Sequence, residues 1–362
     1  MNYARRLRSL RRNMQQEGIE ALLITHLADV RYLCGFSGSN AALCVTANRG
    51  AMFTDGRYTD QAREETSGVR VVIAKKSAQR EACAWLETRG VSQCAFDPVH
   101  TTIADLALFR GALSGKDRRR FFRQLAKPLV PDLRLIKDAE ELELMEQAAH
   151  LGIKLFEELL PKMRAGAPET VIAGQLELSA RLHGADGMSF ETIVASGARS
   201  ALPHGRATVA ALPRKGFVTL DFGVILKGYC SDMTRTVFLG KATRRERFTY
   251  DSVREAQRAA VEAVKPGVTC GEVDEAARSV LRKAGLARYF THSTGHGVGL
   301  EIHEAPRIAA AQQQTLQPGM VITIEPGAYI PGEFGVRIED MVAVTQNGGR
   351  VLTPASTDWK QL

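Results

Sequence analysis

Two aspartates near the middle of the chain stand where carboxylates are uncommon. The segment Val218-Thr-Leu-Asp221-Phe-Gly-Val-Ile-Leu-Lys-Gly-Tyr-Cys-Ser-Asp232-Met-Thr-Arg-Thr-Val237 reads as two β-prone runs joined by a Lys227-Gly228 turn. With a loop of two or four residues, Gly223 faces Asp232 across the ladder. Asp221 then shares a sheet face with Asp232, diagonal to it at roughly 7–8 Å between backbones, and Gly223 leaves the space between them open. Two carboxylates converging from adjacent strands can bridge a pair of divalent cations about 3.5–4 Å apart. A three-residue loop would put them on opposite faces. Asp is disfavoured in strands, yet both could be ordinary solvent-facing residues, and the hairpin alone leaves the two readings open.

The downstream sequence adds donors of the right kind. Of the eight histidines in the chain, three (His292, His296 and His303) fall in the run Thr291-His-Ser-Thr-Gly-His-Gly-Val-Gly-Leu-Glu-Ile-His-Glu304, with glycines around the middle one. Glycine lets backbone approach closely, which suits a ligand imidazole in a crowded site. Glu325, after Ile322-Thr-Ile, and Glu339, after Val336-Arg-Ile, each sit within or at the end of an apolar strand. A carboxylate among Ile and Val is costly unless paired or coordinated. A salt bridge from Arg337 to Glu339 is the simpler alternative. Together Asp221, Asp232, His296, Glu325 and Glu339 form an oxygen-rich set with one imidazole, which suits Mn²⁺ or Co²⁺ at least as well as Zn²⁺. Two such ions can share one hydroxide and lower its pKa toward neutrality.

These groups must be held by the elements around them. Strands are expected at Ile193 to Ser196, Phe217 to Leu226, Tyr229 to Leu239, Met320 to Glu325 and Val336 to Val344. Helices are expected at Asp138 to Leu160, Thr170 to His183, Thr249 to Val264 and Val273 to Ala284. That pattern gives an α+β domain over 131–362 with an antiparallel sheet. Before it, a helix from Tyr3 to Glu17 and a further alternation of short strands and helices predict a smaller α/β domain over 1–130, with Pro128 and Pro131 at the boundary.

Composition is that of a globular protein long enough for two domains, with 44% hydrophobic and 24% charged residues in 362. No apolar run is long enough to span a membrane, and no secretory signal is read at the N-terminus. Six scattered cysteines without C-x-x-C spacing predict free, buried thiols and a cytoplasmic location. The net charge of +8 falls wholly in the first third, in clusters such as Arg5, Arg6, Arg8, Arg11 and Arg12, interleaved with Leu7, Leu10 and Met14. This reads as the solvated face of an amphipathic helix, and without aromatic interleaving no nucleic-acid partner is expected.

The residues resemble the creatinase and methionine aminopeptidase superfamily, whose catalytic domain is the pita-bread fold. Within it the chain looks like a proline-specific peptidase, an Xaa-Pro aminopeptidase or Xaa-Pro dipeptidase (prolidase). The resemblance runs from Ser189-Phe-Glu-Thr-Ile-Val-Ala-Ser-Gly197 and Ala201-Leu-Pro-His204-Gly through the hairpin and histidine run to Glu339-Asp340. Asp29-Val-Arg-Tyr-Leu33 and Thr54-Asp-Gly-Arg-Tyr58 are similar to the creatinase-like N-terminal domain. It implies that Asp221 chelates one metal ion, that Asp232 and Glu339 bridge both, and that His296 and Glu325 complete the coordination of the other ion, with Glu325 also handling the proton of the attacking water. It further implies an oxyanion role for His303, contact of His204 with the peptide nitrogen or leaving group, and a substrate-pocket setting for His292, Tyr329 and Arg337. Arg337, two residues from Glu339, could instead orient that carboxylate. A peptide substrate with proline second and a homodimer follow from the same resemblance. A methionine aminopeptidase and a non-catalytic pita-bread binding protein are the competing readings, the second disfavoured because all five ligand positions are filled.

Overall fold

A computed structural model describes residues 1–115 and 118–362. The chain divides into two units, Met1–Arg134 and Leu135–Leu362. The division lies slightly beyond the boundary expected at 130. Pro128 and Pro131 bracket the first turn of the helix Leu129–Arg134, where proline is tolerated, and this helix belongs to the first unit. No helix among the described residues is long and apolar enough to cross a membrane.

The first unit is built on a mixed six-stranded sheet in the order Arg70–Ala74, Gly50–Asp55, Ala42–Thr46, Ala21–Ile24, Cys94–Phe96, Phe122–Gln124. Ala21–Ile24 pairs antiparallel with Ala42–Thr46 and parallel with Cys94–Phe96. One core contains Leu23, Phe53, Leu86, Phe109 and Phe122. The N-terminal helix Tyr3–Gln16 buries Leu7, Leu10 and Met14 on one stripe, as its periodicity predicts. Arg6 departs from the expected solvated face. It is buried, its Nη1 donates to the Tyr32 carbonyl at 3.0 Å, and its guanidinium lies over the Tyr32 ring. All six cysteines are free and buried.

The second unit has two cores, each made by a pair of helices on sheet. Ala139–Leu159 and Glu169–Leu182 bury Leu155, Phe156, Ile172 and Leu176 against Val218, Leu220 and Val237 of the central hairpin. Arg244–Ala263 and Cys270–Lys283 bury Val253, Ala260, Val273 and Leu281 against Ile322, Ile324 and Val342. Arg244–Ala263 starts earlier than the apolar pattern predicts because Thr243 and Glu246 form a reciprocal capping box. The expected single strand Val336 to Val344 is two strands. Phe334–Arg337 pairs with Gly327–Ile330, and Asp340–Thr345 pairs with Val321–Ile324, so the chain changes sheets at Ile338-Glu339.

The central hairpin has the two-residue loop on which the sequence argument depended. Lys227 and Gly228 both take positive φ (47° and 82°), as a type I′ connection requires. The same register runs through both arms, pairing Leu226 with Tyr229, Ile225 with Cys230, Phe222 with Met233 and Asp221 with Thr234. Extended across the gap, it sets Gly223 opposite Asp232. Ladder pairing is interrupted there, where the hairpin leaves one three-stranded sheet and enters another. Gly223 does something other than clear space for ions. A Cβ on it would lie 1.8 Å from the Ser231 carbonyl oxygen, so the missing side chain lets the two strands touch. Gly223→Ala should therefore cost about 1–3 kcal/mol or more, as overpacking against backbone does. Urea denaturation checks this, and an unshifted midpoint would contradict it.

Candidate metal centre

Each candidate ligand sits where a strand ends or its register shifts. Asp221 is the penultimate residue of Gly216–Phe222, and Asp232 directly precedes Met233–Leu239. His296 is the middle residue of Gly295–Gly297, Glu325 directly follows Val321–Ile324, and Glu339 occupies the turn between sheets. Strand ends free their side chains from the alternating in-out pattern and let donors from several strands converge. All five line one cavity of about 650 Å³, together with His204, His292, His303 and Arg337. Tyr329 is not in that lining.

Donor atoms of Asp232, His296 and Glu339 all lie within 4.8 Å of one another. His296 Nε2 is 3.5 Å from Glu325 Oε1 and 3.7 Å from Asp232 Oδ2. Its Nδ1 is 2.9 Å from the Gly297 carbonyl, which can only accept, so Nδ1 carries the proton and Nε2 faces the carboxylates with its lone pair. The flanking backbone is tight. A Cβ at Gly295 would lie 1.9 Å from the Thr323 carbonyl oxygen, which accounts for one of the glycines beside this ligand.

Surrounding groups fix the carboxylates. Arg337 Nη2 donates to Asp221 Oδ2 at 2.6 Å and Nε donates to Thr234 Oγ1 at 3.1 Å. Thr234 Oγ1 in turn donates to Glu339 Oε2 at 2.6 Å. Arg337 therefore holds Asp221 directly and reaches Glu339 through Thr234. Neither the alternative Arg337–Glu339 bridge nor direct orientation of Glu339 along one strand face describes it, because Glu339 lies past the end of Arg337's strand. Arg337 Nη1 also donates to the Tyr329 hydroxyl at 2.6 Å. His292 donates through Nδ1 to the Ser293 carbonyl, and its Nε2 meets the Tyr329 hydroxyl at 2.9 Å. Tyr329 thus gives its proton to His292 and accepts from Arg337. It buttresses two cavity residues from behind.

Three contributors escaped the sequence reading. Arg235 is fully buried, pairs with Asp340 Oδ1 at 2.7 Å and donates through Nη1 to the carbonyls of Thr234 and Glu339. It thereby clamps the turn that carries Glu339. The adjacent Glu-Asp pair was its only trace in the sequence. Arg206 and Arg307 also line the cavity, Arg206 paired with Glu191 at 2.9 Å and Arg307 facing His296 in strand register.

The electrostatics suit divalent cations. Burial, reinforced by the other carboxylates, pushes Asp232 and Glu339 well above the ordinary carboxylate range. Burial also raises Glu325 to about 8, although Arg337 opposes it. His292 and His296 are pushed down to about 4, mainly by burial, so both imidazoles are neutral. Asp221 Oδ1 is buried with no hydrogen-bond partner among the described residues. A bare buried carboxylate oxygen, neutral imidazole and charge-starved acids are the donor set that two hard or borderline cations require.

A pH dependence follows for metal-stripped protein. Carboxyls raised in the native state hold protons that the unfolded chain has released above about pH 5, so stability falls as pH rises toward 8. The two depressed histidines act the other way only below about pH 6.5, where unfolded imidazole gains protons. Between about pH 6.5 and 8 the carboxyl contribution stands alone. The Tm of metal-stripped protein should fall across that window, and Mn²⁺ should restore more at its upper end. A flat profile would contradict this balance of charges.

The chain is similar to known proteins over nearly its whole length. Residues 143–346 match metallopeptidase family M24, and residues 6–136 match the creatinase/prolidase N-terminal domain. The Xaa-Pro dipeptidase of Pyrococcus furiosus is 36% identical over 96% of this chain and 97% of its own length. The solved Xaa-Pro dipeptidase from Bacillus anthracis superposes with a TM-score of 0.95 at 37% identity, covering all of both chains. An X-Pro aminopeptidase from Thermotoga maritima superposes with a TM-score of 0.89 at 34% identity, over 97% of this chain and 100% of that one. The chain belongs to metallopeptidase family M24 and carries a creatinase/prolidase N-terminal domain ahead of its pita-bread catalytic domain.

Proposed function

We propose that the chain hydrolyses the peptide bond between an N-terminal residue and a following proline, using two divalent cations. The observation that carries this reading is the convergence of Asp221, Asp232, His296, Glu325 and Glu339 on one cavity in a chain similar to Xaa-Pro peptidases over nearly its whole length. Asp221, Asp232 and Glu339 would hold the ions with His296 and Glu325, and Mn²⁺ is the first choice, with Co²⁺ and Zn²⁺ as alternatives. When bound, the cations supply charge neutralisation and Lewis-acid activation of water and of the scissile carbonyl near neutral pH.

The remaining work falls to the side chains. Glu325, ionised when the cations are bound, would take the proton from the attacking water. Oε2 is the available oxygen, because Thr323 engages Oε1 at 3.3 Å. His303, whose ring stands edge-on to His296 at 4.4 Å between centroids, donates to the oxygen that gains charge as the carbonyl becomes tetrahedral. His204 contacts the proline nitrogen from the cavity wall. Arg337 holds Asp221 in place, and Tyr329 keeps His292 oriented. A dipeptide presents its carboxylate beside the proline, and Arg307 supplies a guanidinium in the same cavity to meet it.

The test compares Ala-Pro with Ala-Pro-Ala hydrolysis after metal-stripped protein has been loaded with each cation. Preference for Ala-Pro would identify a dipeptidase and preference for the tripeptide an aminopeptidase. Protein that binds none of the three metals and cleaves neither peptide would refute the reading. The family resemblance also carries a homodimer, which light scattering would register as about twice the 39.6 kDa chain. Free, buried cysteines suit a reducing compartment, and we place the protein in the cytoplasm.

A further inference from the structure

A second group of metal-binding side chains lies in the first unit, among residues the peptidase reading does not use. His26-Leu-Ala-Asp29 follows the strand Ala21–Ile24, and Asp97-Pro-Val-His100 follows Cys94–Phe96. These two strands are parallel neighbours, with Ala21 opposite Cys94 and Leu23 opposite Phe96. Both segments therefore leave the same carboxyl edge of the sheet, the place where open α/β sheets form their binding crevices. The first enters the helix Leu27–Cys34, with His26 at its N-cap and Asp29 in its first turn. Each segment supplies one imidazole and one carboxylate three residues apart.

The side chains meet in a cavity of about 20 Å³, room for one water or ion. Donor atoms of His26, Asp29 and His100 lie within 4.8 Å of one another. Asp97 Oδ2 is 2.9 Å from His100 Nδ1, so a proton on Nδ1 satisfies the carboxylate and leaves Nε2 with its lone pair. Arg134 Nη1 takes Asp29 Oδ1 at 2.8 Å, leaving Oδ2 on the imidazole side, 3.3 Å from His26 Nδ1. Two carboxylates against one guanidinium give the pocket a net negative charge. The His26 and His100 rings are stacked at 3.7 Å and 10°, so their in-plane lone pairs run parallel. Shared coordination needs the rings to fan apart from this stack, and both side chains are partly open to solvent, at 18% and 29% exposure.

We propose that His26, Asp29 and His100, with Asp97 orienting His100, bind a divalent transition metal of the Zn²⁺ type at a site separate from the peptidase centre. Two nitrogens and one oxygen with a fourth position for water match the tetrahedral preference of Zn²⁺, whereas Mg²⁺ or Ca²⁺ would want more oxygen. The proposal does not depend on the peptidase reading, because it concerns a difference in metal content between wild type and variants altered only in the first unit.

The experiment dialyses full-length wild type and the His26→Ala/His100→Ala variant against Zn²⁺ and measures zinc per chain. The variant should hold one equivalent fewer, while its Xaa-Pro turnover with Mn²⁺ stays that of wild type. Equal zinc content in the two proteins would overturn the proposal. Should the double variant misfold by circular dichroism, Asp97→Asn serves instead. It should weaken the first-unit zinc about 10–100-fold, as loss of a carboxylate behind a ligand imidazole does. Unchanged zinc titration of that variant would equally overturn the proposal.

Discussion

Asp232→Asn should abolish most peptidase activity and metal binding while the protein stays folded. Asp232 is almost wholly enclosed, and burial with repulsion from Glu339, Asp221 and Glu325 favours its protonated acid when no cation is near. Asparagine has the shape and charge of that protonated acid, so the metal-stripped variant retains its packing. What it loses is the negative charge that two cations would share. Loss of a carboxylate one step behind a ligand costs about 10–100-fold in affinity or activity, and loss of a ligand itself should exceed that range. Metal analysis, circular dichroism and Ala-Pro turnover on one preparation separate the possibilities. A folded variant that still turns over substrate would remove Asp232 from the ligand set.

His303→Ala should lower kcat by ~10²–10³-fold and leave metal content unchanged, the size of effect seen when one oxyanion donor is removed. His303 lines the cavity beside His296, yet it is absent from the cluster of Asp232, His296 and Glu339 whose donor atoms converge. The two variants thus separate holding the metal from stabilising the reacting carbonyl. A fall in metal occupancy on losing His303 would place its imidazole among the ligands instead.

The parts of the site written in local chemistry could be read directly. Lys227-Gly228 admits one kind of tight turn, and that turn fixes the register that places Asp221 and Asp232 on one side of the hairpin. Gly295 between ligand-bearing strands was likewise legible as a close approach. The corner at Ile338-Glu339 was not. An apolar run with β propensity gives no hint of a break that depends on Arg235 holding the Glu339 carbonyl and on the Glu339 amide bonding the Thr234 carbonyl. Those partners are about a hundred residues away in sequence, and tertiary contacts of that kind override local preference. The same limit hid the role of Arg337. Spacing suggested its neighbour Glu339, whereas packing gave it Asp221 from another strand. Gly223 was noticed for the right position and the wrong reason, since what it accommodates is backbone.

The continuous register of the central hairpin also bears on how the site comes into being. Asp221 and Asp232 are joined by a tight turn, and a hairpin of that kind closes in about 1–10 μs. Glu339 arrives only when strands far apart in the chain dock, the kind of contact whose loop-closure entropy slows folding. Two of the five candidate donors are thus brought together by a local turn at little cost in entropy, and the other three wait for the slower docking of distant strands. A nascent chain presents two carboxylates alone, too few donors to retain an ion firmly, so premature capture of the wrong metal is disfavoured until the fold is nearly complete.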